Sequence, residues 1–257
     1  MKFIGIDIGS TCAKTVVMNE NKEIVLEFVQ PTGWSSVDTA EEIRKKLVEN
    51  DADPAENVCV ATGYGRVSVP YADKMITEIT CHAMGAVWIF DNKDMTIIDI
   101  GGQDTKIICV EQGFVKDFMM NDKCSAGTGR FLEMMARTME MSLDDMGKAG
   151  LSYKEDITIS SMCTVFAESE VVSLIAQNKA TDDIVHGLNK AVASKTAALA
   201  KRVGGEERYM MTGGVSKNQG LVKTLEEKLG TTLVISDKAQ LCGALGAALF
   251  AKDMVTE

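Results

Sequence analysis

Short apolar runs separated by polar turns open the chain, and the same arrangement returns near its middle. Phe3–Ile6 and Met95–Ile98 are apolar, and each run leads into the tetrapeptide Ile-Asp-Ile-Gly, at 6–9 and at 98–101. Beyond a polar turn, each copy continues with an apolar run opened by a lysine, and then with a third run. Such runs, bounded by turns, are typical of β-strands. The pattern therefore predicts one three-stranded meander used twice.

The remainder of the chain alternates between helical and strand patterns. Apolar positions spaced by three, four and seven residues indicate helices. The predicted helices are 39–49, 127–141, 164–177, 182–203, 218–229 and about 239–252. The predicted strands outside the meanders are 57–61, 209–211 and 232–235. Together these elements predict an α/β protein of two similar halves, each with a mixed sheet begun by a meander and flanked by helices. We expect the halves at 1–92 and 93–238, with the C-terminal helix 239–257 packing back on the first.

Composition and charge exclude some classes of protein. The 257 residues are 46% hydrophobic and 25% charged, as in an ordinary globular protein. A net charge of −10 argues against binding to a nucleic-acid backbone, which requires a basic surface. No apolar stretch approaches the roughly 20 residues that cross a bilayer, and Met1-Lys2 leads into a strand and not a signal peptide. We therefore expect a cytoplasmic protein without membrane contact.

Each Ile-Asp-Ile-Gly joins a strand to a turn rich in glycine and hydroxyl groups. The backbone N–H groups of such turns can cradle phosphate oxygens. A carboxylate at the strand end, Asp7 or Asp99, suits Mg²⁺ that keeps its water ligands, and Lys14 adds a positive charge. Gly213-Gly214 follows another strand and lets a nucleotide lie against the backbone. One such turn alone is common in plain hairpins, but the ordered set of three predicts a polyphosphate clamp.

This ordered set resembles the actin, sugar-kinase and heat-shock-chaperone ATPase superfamily. The resemblance implies an actin-like ATPase fold that binds ATP or ADP with Mg²⁺, the metal being held by Asp7 and Asp99 through water. The implied nucleotide-binding residues are Asp7, Gly9, Ser10, Thr11, Cys12, Ala13 and Lys14 in a first loop, Asp99, Gly101, Gly102 and Gln103 in a second, Gly213 and Gly214 at an adenosine motif, and Asp145, Asn218 and Gln240 near the ribose and adenine. Gln103 or Asp104 would orient the water that attacks the γ-phosphate.

Five of the seven cysteines are expected to be ordinary packing residues. A chain without a secretory signal is expected to keep free thiols, and Cys12, Cys59, Cys81, Cys109 and Cys242 have the surroundings of small hydrophobes.

Cys124 and Cys163 each come where a helix is predicted to begin, and a helix N-terminus favours a thiolate. They are consistent with buried helix-start residues, with zinc shared across a dimer, or with a 4Fe–4S cluster. Such a cluster usually takes four thiolates, which a two-fold dimer would supply.

Six segments together carry a resemblance to a known family. They are Ile-Asp-Ile-Gly-Ser-Thr (6–11), Ala-Thr-Gly-Tyr-Gly-Arg (61–66), Ile-Asp-Ile-Gly-Gly-Gln-Asp (98–104), Asn-Asp-Lys-Cys-Ser-Ala-Gly-Thr-Gly-Arg-Phe (121–131), Cys-Thr-Val-Phe-Ala-Glu-Ser-Glu (163–170) and Met-Thr-Gly-Gly-Val (211–215). Together they resemble the activator ATPases of 2-hydroxyacyl-CoA dehydratases, which are relatives of the benzoyl-CoA reductase ATPase subunits. The resemblance covers essentially the whole chain.

The resemblance implies an oxygen-sensitive C2 homodimer with one bridging 4Fe–4S cluster on Cys124 and Cys163 of both copies. ATP hydrolysis would drive one low-potential electron into a partner dehydratase, and ferredoxin or flavodoxin would supply that electron. The alternatives are a sugar or amino-sugar kinase of the same fold and a nucleotide-gated scaffold similar to chaperone ATPases. A kinase usually needs further sugar-binding segments, for which this chain is short. The segment 62–66 is either a simple turn or a loop facing another domain or a partner.

Overall fold

The computed structural model describes residues 1–160 and 163–256. Residues 161 and 162, which precede Cys163, and residue 257, the end of the predicted C-terminal segment, lie outside the described part. The chain divides into two compact units. The first comprises Met1–Asp94, Val110–Lys116 and Ser236–Glu257, and the second comprises Met95–Cys109 and Asp117–Ile235.

A five-stranded mixed sheet forms the first unit. Its strands are β1 (Phe3–Ile8), β2 (Cys12–Met18), β3 (Ile24–Pro31), β4 (Val58–Thr62) and β5 (Lys74–Met75), and its helices are α1 (Ser36–Glu49), α2 (Glu78–Phe90) and α8 (Cys242–Thr256). The strand order is β3-β2-β1-β4-β5. Strand β1 pairs antiparallel with β2 and parallel with β4. All of β1 is buried because it lies at the centre, which explains its nearly unbroken apolar run.

The second sheet repeats this strand order. Its strands are β6 (Met95–Ile100), β7 (Thr105–Glu111), β8 (Phe114–Asn121), β9 (Tyr209–Thr212) and β10 (Val234–Ile235), and the helices are α3 (Gly129–Thr138), α4 (Leu143–Ala149), α5 (Thr164–Ala176), α6 (Thr181–Val203) and α7 (Gln219–Leu229). The order β10-β9-β6-β7-β8 mirrors the first sheet, since β6 occupies the place of β1. The prediction of two mixed sheets, each begun by a three-stranded meander, is confirmed.

Two differences between the predicted and observed helix starts have a clear local cause. Helix α1 begins at Ser36, earlier than predicted, because the Ser35 hydroxyl accepts the N–H of Asp38 and caps it. Helix α3 begins at Gly129 and not at 127, because Gly127 has a φ of +96°, which no right-handed helix accommodates. Strand β5 and helices α2 and α4 were not predicted, and β5 and α4 are too short to show a periodic pattern.

Helix α6 is the long element of the second unit, and much of its sequence is buried. Its apolar stripe includes Ile184, Leu188 and Val192, which belong to the core of that unit. Asp182 and Asp183 lie in its first turn and Lys201 and Arg202 in its last, which suits the helix dipole. Across the described residues, none of the helices combines the length and the apolar character needed to cross a membrane.

Four cysteines pack in the interior as predicted. Cys59, Cys81, Cys109 and Cys242 are buried, and Cys12 is half-buried. Burial raises the pKa of the Cys81 thiol to about 12, and burial likewise raises the pKa of Cys59. These thiols therefore stay protonated at neutral pH and act as small apolar side chains.

Glycines bring helix α8 into close contact with its neighbours. A Cβ added at Gly246 would overlap the carbonyl oxygen of Cys81 in α2, and one added at Gly5 would overlap that of Ala244 in α8. Gly85 meets the carbonyl of Cys242 in the same way. The backbones of β1, α2 and α8 thus touch directly, and there is no space for even a methyl group.

We expect Gly246→Ala to destabilise the protein by about 1–3 kcal/mol, since an extra methyl group forces the packed backbones apart. Urea unfolding measures the change. Gly147→Ala in α4 is the matched control, because its added Cβ would lie 3.4 Å from the Cα of Asn218, an ordinary contact. That control should be neutral or slightly stabilising. Equal unfolding free energies for the two variants would contradict the close-packing argument.

Candidate functional site

The first of the two predicted phosphate loops follows strand β1 and centres on a buried carboxylate. Asp7 is 1% exposed, and its Oδ2 accepts a hydrogen bond from Nζ of Lys14 at 3.1 Å. The two residues face each other across the β1–β2 pair. The turn between these strands closes with the N–H of Gly9 donating to the carbonyl of Cys12 at 3.1 Å. Within the described part of the chain, Oδ1 of Asp7 has no hydrogen-bond partner. This oxygen is therefore suited to accept a hydrogen bond from a water ligand of a hydrated Mg²⁺.

The second phosphate loop repeats this pair and adds to it. Lys106 is 2% exposed, and its Nζ donates to Asp99 Oδ2 at 3.3 Å and to Asp104 Oδ1 at 2.6 Å. Thr212 donates to the other oxygen of Asp99 at 3.0 Å. Gln103, in contrast, is exposed. Sequence reasoning did not assign Lys106, although its seven-residue spacing from Asp99 repeats that of the first pair.

A glycine turn lies beside each aspartate. In the sheet registers Thr62 pairs with Asp7 and Thr212 with Asp99, and the glycine that follows each threonine has a φ of +84° or +83°. A Cβ added at either Gly63 or Gly213 would collide with the neighbouring strand end and its aspartate. The segment 62–66 is thus the first-half counterpart of the predicted adenosine motif.

The three residues predicted near the adenosine differ in their hydrogen bonds and in the unit to which they belong. The Asn218 side chain caps α7 by accepting the N–H of Leu221 at 2.9 Å. Asp145 lies in the first turn of α4 and accepts the Ser142 hydroxyl at 2.6 Å. Both residues belong to the second unit, whereas Gln240 belongs to the first. Their roles toward a nucleotide stay predictions.

The segments that carry Cys124 and Cys163 meet in the second unit. The hydroxyls of Ser125 and Thr164, each following one of the cysteines, are hydrogen-bonded at 2.8 Å. Cys163 is the exposed N-cap residue of α5, and no side-chain hydrogen bond caps that helix. Its thiol therefore lies at a positive helix end, as predicted.

Cys124 does not lie at a helix end, contrary to the sequence prediction. Because α3 begins only at Gly129, a turn closed by the Thr128 N–H and the Ser125 carbonyl separates the cysteine from the helix. The positive group beside Cys124 is instead the ammonium of Lys195 in α6, whose Nζ is 3.7 Å from the sulfur. Nothing in the sequence pattern indicated this contact.

Hydrogen bonds connect the second phosphate loop to the Cys124 segment. The first N–H groups of α3 donate to loop carbonyls: Gly129 to Gly101 and Arg130 to Gly102, both at 2.8 Å. Thr105 donates its hydroxyl to the carbonyl of Gly127 at 2.7 Å. The loop thus satisfies donors at the start of α3 that would otherwise need a side-chain cap.

A family model decides the identity. Residues 4–251 match the model of the BadF/BadG/BcrA/BcrD ATPase family. The chain belongs to this family. It is 45% identical to the (R)-2-hydroxyglutaryl-CoA dehydratase activating ATPase of Acidaminococcus fermentans, over 96% of each protein.

Solved structures extend the comparison to the fold. The activator of the 2-hydroxyisocaproyl-CoA dehydratase from Clostridium difficile, solved with bound ADPNP, is 39% identical with a TM-score of 0.92, covering 100% of this chain and 96% of that one. A ROK family glucokinase from Streptomyces griseus shares the fold at 12% identity, with a TM-score of 0.61 and coverage of 98% and 100%. The predicted actin-like fold and the resemblance to dehydratase activators are confirmed.

We expect Lys106→Met to destabilise this ATPase-family protein by roughly 3–5 kcal/mol, because it leaves two buried carboxylates without their shared cation. The control is Lys116→Met, since Lys116 pairs with Glu111 on the surface, where both side chains are more than half exposed. Removing an exposed ion pair costs about 1 kcal/mol or less. Chemical denaturation compares the two, and a similar small loss in both variants would refute the buried-pair argument.

Proposed function

We propose that this chain is an ATP-hydrolysing activator of a 2-hydroxyacyl-CoA dehydratase, in which two copies share one 4Fe–4S cluster. The observation that carries the proposal is the meeting of the Cys124 and Cys163 segments next to a phosphate loop, in a member of an ATPase family. Similarity to dehydratase activators over nearly the whole chain supports the class of partner.

The nucleotide proposal rests on the two phosphate loops. Both loops combine a buried aspartate, a lysine directed at it and a glycine-rich turn. The free oxygen of Asp7 supports a hydrated Mg²⁺, and family membership together with an ADPNP-bound relative supports ATP. Gly213 and Gly214 are the proposed contact for the adenosine, and Asp145, Asn218 and Gln240 are further candidates.

Gln103 is the better candidate for orienting the attacking water. Asp104 is buried, and one of its oxygens is held by Lys106 at 2.6 Å, so its position is fixed by an ion pair. Gln103 is the exposed residue of the same loop and has an amide that can both donate to and accept from water. Orientation of water, with charge stabilisation, is the principal catalytic task in ATP hydrolysis.

The cluster proposal rests on the donors that the chain offers. Cys124 and Cys163 from each of two copies make up the four thiolates that a 4Fe–4S cluster usually takes. The chain's own groups fit a negatively charged centre, because the α5 N-terminus lies at Cys163 and an ammonium lies at Cys124. When bound, the cluster supplies the single low-potential electron that the dehydratase receives.

Hydrogen bonds from the second phosphate loop would couple the nucleotide state to the Cys124 segment. A change in the second phosphate loop on ATP binding or hydrolysis moves the carbonyls of Gly101 and Gly102, which hold the start of α3. Thr105 carries the same change to Gly127, three residues after Cys124. ATP turnover thereby alters the surroundings of the cysteines, and hydrolysis makes electron delivery one-way. Ferredoxin or flavodoxin fits as the electron source.

The double variant Cys124→Ser/Cys163→Ser should lose visible absorbance and dehydratase activation while it retains ATP binding, because only the thiolate ligands are removed. Absorbance spectra, iron analysis and nucleotide titration of anaerobically prepared protein measure these properties. Cys109→Ala is the control, since this buried cysteine lies outside the two segments and should leave the colour unchanged. Dehydratase activation by the double variant would contradict the cluster proposal.

For Gln103→Ala we expect ATP hydrolysis to fall by about 100-fold with little change in nucleotide affinity, since misplacement of a reacting group can cost that much in rate. Phosphate-release assays measure the rate of hydrolysis, and binding titrations measure the nucleotide affinity. Asp104→Asn should instead lower stability through the Lys106 ion pair. If the Gln103 variant hydrolysed ATP at the unchanged rate, Gln103 would be ruled out and Asp104 would be assigned to orient the attacking water.

A further inference from the structure

The Lys195 side chain crosses from helix α6 to the Cys124 segment. Its Nζ is 3.7 Å from Sγ of Cys124 and donates to the carbonyl of Ala126 at 3.0 Å. Its methylene groups pass Gly127, where an added Cβ would lie 3.2 Å from Cδ of Lys195. The positive φ of Gly127 folds the segment around this stem. The lysine is therefore half-buried, and its ammonium contacts both the Cys124 sulfur and the Ala126 carbonyl.

Asn121 also supports this segment. Its amide nitrogen donates to the carbonyl of Cys124 at 3.1 Å and lies 3.4 Å from that of Ala126. Two side chains thus satisfy the carbonyls around Cys124, and of these two Lys195 also reaches the sulfur. Cys163 lies at the positive N-terminal end of a helix, whereas Cys124 does not. The Lys195 ammonium supplies a positive charge beside Cys124 instead.

We propose that Lys195 is a positioning residue that stabilises the more negative, reduced state of the cluster by its charge and its hydrogen bond to the Cys124 sulfur. The inference rests on the proposed function, because it requires that Cys124 be a cluster ligand. Hydrogen bonds to ligand sulfurs and nearby charges are established means by which proteins set cluster potentials. A cation next to a thiolate ligand raises the reduction potential, since reduction adds negative charge to the centre.

The test compares three substitutions that separate charge from packing. Lys195→Met removes the charge and keeps most of the stem, and Lys195→Arg keeps the charge. Lys201→Met is the matched control, because Lys201 is an exposed lysine on the same helix. Each protein is reconstituted anaerobically with iron and sulfide, its folding is verified by circular dichroism, and its midpoint potential is measured by an EPR-monitored redox titration.

We expect the midpoint potential of Lys195→Met to shift to more negative values, while Lys201→Met stays at the wild-type potential and Lys195→Arg recovers most of the shift. A folded Lys195→Met that holds no cluster, beside a loaded Lys195→Arg, supports the same role. Equal potentials for Lys195→Met and Lys201→Met overturn the inference, as does loss of the cluster from both Lys195 variants. A wild-type protein that takes up no cluster overturns the proposed function itself, and this inference with it.

Discussion

The start of helix α3 depends on the second phosphate loop for its hydrogen bonds. Carbonyls of Gly101 and Gly102 accept the first two N–H groups of the helix, and no side chain caps it. Free donors at a helix end need partners, so the loop and the helix must keep their relative geometry or lose stabilisation. The Thr105–Gly127 hydrogen bond ties the preceding turn to the same loop. Phosphate loop, helix start and cysteine segment thus behave as one connected piece of structure.

The duplicated halves keep the same framework but use their aspartates differently. Asp7 pairs with Lys14 and retains a buried oxygen without a partner among the described residues. Asp99 has both oxygens engaged, one by Thr212 and one by Lys106. The first carboxylate is therefore suited to a ligand, whereas the second is fixed within a buried network. The repeat supplies one scaffold twice, and the side chains around it have diverged.

Much of this arrangement could be predicted from the sequence, because local patterns encode it. The meanders and long helices have clear periodicities, and the repeated Ile-Asp-Ile-Gly marked both turns that carry a buried aspartate paired with a lysine. The start of α3 was wrong because Gly127 adopts a positive φ, which helical spacing does not reveal. Lys195 was missed for another reason: it lies 71 residues from Cys124 in the sequence, and only the packing of α6 brings the two together. Contacts of that kind depend on tertiary structure and leave no spacing signal.

The exposure of Cys163 bears on the biogenesis of the protein. The hydrophobic core of the second unit is assembled from buried residues of β6, β7, β9 and the helices, and Cys163 is not among them. Its thiol lies at the surface, at the end of a helix that is already packed through Ala167 and Val171. The core of the second unit is therefore complete without Cys163, so the proposed cluster would be inserted into a chain that is already folded, as a separate step of maturation. Supply of iron and sulfide would then control how much of the folded protein is active, without changing how much of it is made.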